Sequence, residues 1–247
     1  MIKTITSPTN PLIQRAIKLH SSKYRTHYKE FIAEGLRVIT TLIQAQHIPN
    51  TLFVTEDVIT QAQQLVSEKY IIIIPEALMK KISTAETPSG MVALFPMPAQ
   101  PDVAQLSAGI ALVGMQNPGN AGTLVRTAVA MNKKTAIFVN GVDPWNPKVV
   151  QASAGAVGLI NIFQLTWGEL VAHKKAISLC ALVVSNGKQP NTKILHNALI
   201  VVGNEGQGLS KKQVEQCDET ITLTMPGSFE SLNAAVAGSI ALYISSL

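Results

Sequence analysis

The stretch "NPGNAGTLVRTA", residues 117–128, places two asparagines, two glycines and a proline just ahead of a single arginine. Asn117, Pro118 and Gly119 read as a tight turn leaving a short apolar strand, "IALVGM" at 110–115. A helix is predicted from Ala121, with Leu124, Ala128 and Met131 on one face. Arg126 then falls in its first turns, where a cation opposes the macrodipole. Such an arginine is either a solvated surface residue or a ligand for an anion, because strand, turn and helix entry is where α/β proteins bind ligands.

Two further clusters have the same grammar. "VVGNEGQGLS" (201–210) is a strand end followed by a glycine-rich turn, with Ser210 as N-cap for a helix beginning "KKQVEQ". Its glycines allow close backbone approach to a ligand, and Glu205 among them has no turn-forming role. "TITLTMPGSFESLNAAVAGSIALY" (220–243) reads as a strand, a Pro-Gly loop and a helix entered through Ser231 and Asn233, with Ser231 either an N-cap or a ligand-facing hydroxyl. None of the three clusters contains histidine or cysteine, so the usual general bases are missing from them.

Composition narrows the classes. The chain has 247 residues, 47% of them hydrophobic, enough for a core, and its apolar runs are shorter than a membrane span. No signal-peptide pattern opens it, which together with the cysteine usage predicts a cytoplasmic protein. Cys180 and Cys217 lack metal-ligand spacing and the histidines are scattered, so no metal is expected. The net charge of +5 is concentrated in residues 1–37. Lys3, Arg15, Lys18, Lys23, Arg25, Lys29 and Arg37 there face only Glu30 and Glu34. Tyr24, Tyr28, His20 and His27 are interleaved with them, a pattern that suits a phosphate backbone with unstacked bases. The alternative is an ordinary solvated helix face.

The elements that must position these residues fall into two α/β stretches. The first holds a helix with Leu12, Ala16 and Leu19 on one face, a second amphipathic helix over "EFIAEGLRVITTLIQA" (30–45), and strands at "TLFVT", "YIIIIP" and "GMVALF". Proline-rich sequence without apolar periodicity then marks a linker, giving domains at 1–96 and 108–247 joined by 97–107. In the second domain strands at 110–115, 135–140, 160–165, 177–184, 198–203 and 220–225 alternate with helices. That alternation implies a mostly parallel sheet covered on both faces. A Rossmann oxidoreductase is disfavoured, because the first turn reads "QNPGNAG" without the glycine fingerprint and the second strand ends in Asn140 rather than an acid.

In order and spacing, "NPGNAGTLVRTA", "VVGNEGQGLS" and "MPGSFESLNAAVAGSIAL" resemble the three signature motifs of the SpoU, or TrmH, family of RNA ribose 2′-O-methyltransferases in the SPOUT superfamily. "DPWNPKVVQASAGAVGLI" (143–160) is similar to the segment between that family's first two motifs. Residues 7–39 resemble the small ribosomal-protein-like substrate-binding domain often fused in front. The resemblance implies an α/β fold with a C-terminal trefoil knot, S-adenosylmethionine as cofactor without metal, and a homodimer that completes the active site. Carried over by position, Arg126 acts on the ribose and phosphate with Asn120, Glu205, Ser231 and Asn233. Cofactor contacts fall on Gly203, Leu223 and Leu232, with Val202, Asn204, Gly208, Met225 and Gly227 nearby in the 201–208 and 225–233 stretches. One departure is that Leu223-Thr224-Met225 precedes Pro226 where the family reads Ile-Pro-Met. Lys18, Lys23, Arg25, Lys29 and Arg37 are expected to grip RNA, ribosomal RNA of the 23S type rather than transfer RNA. A transfer-RNA enzyme and a catalytically silent RNA-binding relative are the alternatives.

Overall fold

A computed structural model describes residues 2–227 and 231–247. The chain starts with β1 (Lys3–Thr4), α1 (Pro11–Lys18), α2 (Ser22–Tyr28), β2 (Glu30–Glu34), α3 (Leu36–Gln44), β3 (Thr51–Val54), α4 (Ile59–Leu65), β4 (Ile71–Ile73), α5 (Glu76–Ile82) and β5 (Met91–Pro96). It continues through β6 (Gly109–Val113), α6 (Pro118–Ala130), β7 (Thr135–Val139), α7 (Pro147–Ala152), β8 (Asn161–Gln164) and α8 (Trp167–His173). Last come β9 (Ser178–Leu182), α9 (Thr192–Leu195), β10 (Ala198–Val202), α10 (Lys211–Glu215), β11 (Glu219–Ile221) and α11 (Ala234–Ile244). Two compact units result: residues 1–99 with 145–159, and residues 100–144 with 160–247. The segment 145–159, assigned from sequence to the 108–247 domain, thus clusters with the first unit.

The first unit is a five-stranded mixed sheet in the order β1-β4-β3-β5-β2. Ile13, Ala16 and Leu19 of the α1 region pack on Ile72, Ile74, Leu78, Met79 and Leu94, with Leu12 only partly buried. The predicted helix over 30–45 is instead a strand and a helix. Glu30–Glu34 pairs antiparallel with β5, burying Phe31, Ile32 and Ala33 on the sheet, and Gly35 turns the chain at φ 87° before α3. A left-handed residue cannot continue a helix, and only glycine holds it without strain. The 145–159 segment docks here through Trp145, whose ring lies 4.8 Å from that of Phe31, and through His47 Nε2, 3.0 Å from the Gly158 carbonyl oxygen.

Helix α2 was not foreseen, and it corrects one RNA-binding expectation. Arg25, on α2, is only 1% exposed, and its guanidinium donates to the carbonyls of Leu19 at 2.8 Å and His20 at 2.9 Å. It ties α2 to the end of α1 and is not available to a phosphate. Lys18, Lys23, Lys29 and Arg37 are exposed as expected.

The second unit is a six-stranded parallel sheet in the order β11-β9-β10-β6-β7-β8. Every residue of β6, β7 and β10 is buried, as a sheet covered on both faces requires. From β6 the chain proceeds outward to β7 and β8, whereas β9, β10 and β11 lie on the other side. The order therefore reverses between β6 and β10, and the loops leaving these strands diverge at their C-terminal ends, where open α/β sheets bind ligands. Helices α6 and α11 pack together over one face, joined by Thr127 and Ser239 hydroxyls 3.0 Å apart. The last strand is shorter than expected: β11 stops at Ile221, so Leu223 and Met225 lie in the loop beyond it. Among the described residues no helix is long and apolar enough to cross a membrane.

Replacing Arg25 with leucine removes both donations and strands two carbonyls, a cost on the order of 2 kcal/mol or more. Thermal unfolding of Arg25→Leu should show a clear loss of stability. An unchanged midpoint would mean that the guanidinium faces solvent.

Candidate functional site

The register that pairs Val202 with Leu112 brings the loops after β10 and β6 out side by side. The turn after β6 becomes the start of α6 earlier than predicted. Asn117 is the N-cap, its Oδ1 accepting from the amides of Gly119 at 2.8 Å and Asn120 at 3.2 Å, and Pro118 occupies the first helical position, where its missing N–H costs nothing. Arg126 consequently lies in the third turn of α6, not the first, and the macrodipole argument for its importance fails. It is exposed, and among the described residues its guanidinium has no hydrogen-bond or ion-pair partner.

Glu205 spans the gap between the loops. Its carboxylate accepts from the backbone amides of Gln116 (3.2 Å) and Asn117 (3.0 Å) and from Asn120 Nδ2 (3.1 Å). Partial burial raises this carboxyl. Bonds from its own amide, the Asn120 side chain and the Gln116 and Asn117 amides outweigh that and hold it below the ordinary carboxylate range. A carboxyl depressed in the fold contributes fully above its unfolded value and loses that contribution only as pH falls through the folded one. The clamp is therefore charged at neutral pH.

The network continues. Asn233 Nδ2 donates to Asn120 Oδ1 at 3.3 Å, while Asn233 Oδ1 caps α11 by accepting from Ala235 at 2.9 Å and Val236 at 3.3 Å. Asn233, not Ser231, is thus the N-cap. Asn204 Nδ2 donates to the Gly114 carbonyl at 2.8 Å, and its Oδ1 accepts from the amides of Gly206 and Gln207, folding the 204–208 turn back on itself. Ser210 caps α10 in a reciprocal box with Gln213, as its position suggested.

Beside this network lies a cavity of about 290 Å³. Its walls are the end of β9 and the residues after it (Leu182, Val183, Val184), the turn Val202–Gly208, Leu223 and Met225 after β11, and Ser231, Leu232, Ala234 and Ala237 at the start of α11. Of the expected cofactor residues, Val202, Gly203, Asn204, Gly208, Leu223, Met225 and Leu232 line it, and Gly227 does not. Glu205 and Ser231 also line it, whereas Arg126 does not. Ser228, Phe229 and Glu230 of the expected 225–233 stretch lie outside the described residues. Gly206 and Gln207 line it as the expected 201–208 stretch requires, whereas sequence reasoning missed Leu182–Val184, Ala234 and Ala237. Nothing local marks the β9 end, and only the neighbouring of β9 with β10 and β11 puts it at the cavity.

Aliphatic walls and a turn of exposed peptide groups suit a ligand that packs a flat ring on apolar side chains and hydrogen-bonds to backbone groups. Among the described residues no group of three or more potential metal ligands occurs. Neither cysteine is a nucleophile at neutral pH: burial first, then the Glu219 carboxylate, pushes Cys180 up to about 12, and burial followed by Asp218 pushes Cys217 up to about 11. Among the described residues that line the cavity there is no cysteine and no histidine.

The family model for the SpoU rRNA Methylase family matches residues 107–243, and that for an MRM3-like substrate binding domain matches residues 10–93. The 23S rRNA (guanosine(2553)-2′-O)-methyltransferase RlmP of Bacillus subtilis is 26% identical, over 98% of both chains. The 23S rRNA (uridine(2479)-2′-O)-methyltransferase of Streptomyces viridochromogenes is 27% identical over 98% of this chain and 91% of its own. The crystal structure of the SpoU methyltransferase AviRb from the same organism, in complex with AdoMet, superposes with a TM-score of 0.83 at 25% identity, covering 96% of this chain and 97% of that one.

Gly203 is required by the protein itself. A Cβ there would sit 2.4 Å from the Gly208 carbonyl carbon and 2.6 Å from the Leu209 nitrogen, both backbone atoms. Beside the close approach to a ligand expected from sequence, closure of the turn itself therefore demands glycine here. Gly203→Ala should cost on the order of 1–3 kcal/mol, and S-adenosylmethionine affinity measured by calorimetry should fall with it. A variant with wild-type stability and affinity would contradict this packing.

Proposed function

The chain belongs to the SpoU rRNA Methylase family, and from that premise we propose that it transfers a methyl group from S-adenosylmethionine to a ribose 2′-hydroxyl of large-subunit ribosomal RNA. The observation that carries this reading is the cavity at the C-terminal ends of β9, β10 and β11, with the Glu205–Asn120–Asn233 network running from Glu205 on its wall. Bound there, the cofactor supplies a methyl group activated by a sulfonium. Val202–Gly208, Leu223, Met225 and Leu232 would hold it. The chain's own residues then have to seat the hydroxyl and accept its loss of a proton. Arg126 is always charged and is a poor base, so its role is a bidentate grip on the phosphate beside the target ribose. Asn120, with its amide orientation fixed, directs the ribose, and the proton passes to solvent. Ser231 completes the polar wall.

A homodimer and a C-terminal knot belong to the same reading. Val236, Ile240 and Tyr243 are 38% to 55% exposed and recur at helical spacing along α11, an apolar stripe suited to a second copy. Arg126 does not line its own chain's cavity, and a site completed across the dimer would give it a task. A ribosomal substrate is favoured by the two 23S rRNA methyltransferase relatives, and an RNA substrate of any kind by the basic α1–α2 face. There Lys18 and Lys23 lie 5.5 and 5.9 Å from the Tyr24 ring, which stacks on Tyr28 at 6.2 Å. Cations around half-exposed aromatic rings suit phosphates with stacked bases. The cytoplasm, where ribosomes are modified, is the proposed compartment.

Exposed and unpartnered, Arg126 contributes little to folding. Arg126→Ala should unfold at the wild-type temperature and bind S-adenosylmethionine normally. Single-turnover methylation of protein-free large-subunit RNA should nevertheless fall roughly a hundredfold or more, with Arg126→Lys recovering little. Near-normal turnover by the alanine variant would make Arg126 an ordinary surface residue. Replacing Lys18, Lys23 and Lys29 together with alanine should weaken RNA binding and lower the logarithmic salt slope by somewhat under one unit per lost contact. An unchanged slope would reduce the basic face to solvated charge.

A further inference from the structure

The first unit carries a second concavity, of about 410 Å³. Three segments meet around it: Glu34 and Gly35 at the end of β2, the segment 84–89 after α5, and α7 with Lys148 and Gln151. Its lining residues are mostly polar in type, although carbon atoms form most of the exposed wall. Beyond Gly35, Ala85 and Ala152 it offers the hydroxyls of Thr84, Thr87 and Ser89, one amide, one carboxylate and one ammonium. The carboxylate is already committed, because Glu34 accepts from the Ser83 hydroxyl, from the Thr84 amide at 3.0 Å and from the Thr84 hydroxyl at 3.2 Å. Those bonds tie the 83–84 segment to β2 and build the wall. By contrast the Thr87 hydroxyl, the Gln151 amide and the Lys148 ammonium have no partner among the described residues. Glu86, in the same segment, does not line the concavity.

Pockets for drug-like molecules are lined mainly by hydrophobic and aromatic side chains, and this one has no apolar side chain larger than alanine. Uncommitted hydrogen-bonding groups beside a cation call for a polar, anionic ligand. We infer that the concavity receives one unpaired nucleotide of the RNA, with Lys148 on its phosphate and Thr87, Ser89 and Gln151 on its sugar and base edge. This rests on the RNA methyltransferase reading above and adds where substrate choice is made. The volume admits a nucleotide, whereas a duplex keeps its bases stacked inside. Unstacked bases in loops and bulges are what proteins read by sequence. Lysines on the α1–α2 face attract any RNA alike, since phosphate contacts carry no sequence information. Selectivity therefore needs a place where a base edge meets hydrogen-bonding side chains, and Gln151 with two hydroxyls provides one.

The test uses the full chain and protein-free large-subunit ribosomal RNA. Ultraviolet cross-linking followed by mass spectrometry should place cross-links within 84–89 and 148–152. Lys148→Glu should weaken binding of this RNA about tenfold and remove those cross-links. Gln151→Ala, a surface truncation, should narrow the preference for this RNA over a uridine homopolymer of equal length. S-adenosylmethionine affinity should be unchanged in both. Absence of wild-type cross-links in either segment overturns the site even if Lys148→Glu fails to fold, as does wild-type affinity and preference in the variants. A wild-type protein that binds and methylates no ribosomal RNA fails the preceding reading instead, and this one with it.

Discussion

One carboxylate holds the site together. Glu205 leaves the turn after β10 and accepts hydrogen bonds from two backbone amides and one side chain at the start of α6. The consequence is a direction imposed along a chain of amides. The α11 amides occupy Asn233 Oδ1, leaving Asn233 only its NH₂ to offer. Asn120 must answer with Oδ1, and its own NH₂ then points to Glu205. A donor-only capped end and an acceptor-only carboxylate thus fix both flips of the intervening asparagines. Three loops from three distant stretches of sequence are locked by one polarity rule, and bonds to a charged acceptor are the stronger kind.

This lock divides the labour of the site. Parallel pairing puts the loops in reach, and the network fixes how the Asn120 and Asn233 amides are turned. The cavity beside it asks little of side-chain chemistry. It is made of aliphatic strand ends and a turn so tight that position 203 accepts no Cβ. Methyl transfer from an activated donor needs alignment more than a strong nucleophile, which agrees with the absence of histidine and cysteine from the three motifs.

The three motif loops were legible because Asn, Gly and Pro punctuate apolar runs, and each such boundary became a strand-to-loop junction in the fold. Their convergence was not legible from residue patterns. It depends on β10 inserting between β9 and β6, a pairing between strands far apart in sequence. The stretch 30–45 was misread because its apolar spacing suits a helix throughout. Pairing of 30–34 with β5 overrides that preference, and Gly35 is the only local sign of the break. Arg25 was misread because charge suggests exposure, and only the packing of α2 on α1 shows two carbonyls waiting for it. The choice of cap between Ser231 and Asn233 turned on a two-residue offset that propensity does not resolve.

A double-mutant cycle over Glu205→Gln and Asn120→Ala, read as S-adenosylmethionine affinity by calorimetry, tests the central claim most directly. If Glu205 acts by holding the α6 entry to the cavity turn, each single change should weaken binding. The double variant should then be hardly worse than the Glu205→Gln protein alone, because both remove one shared interaction. Losses that add independently would show that Glu205 and Asn120 act separately, and the account of a single directional lock would be wrong.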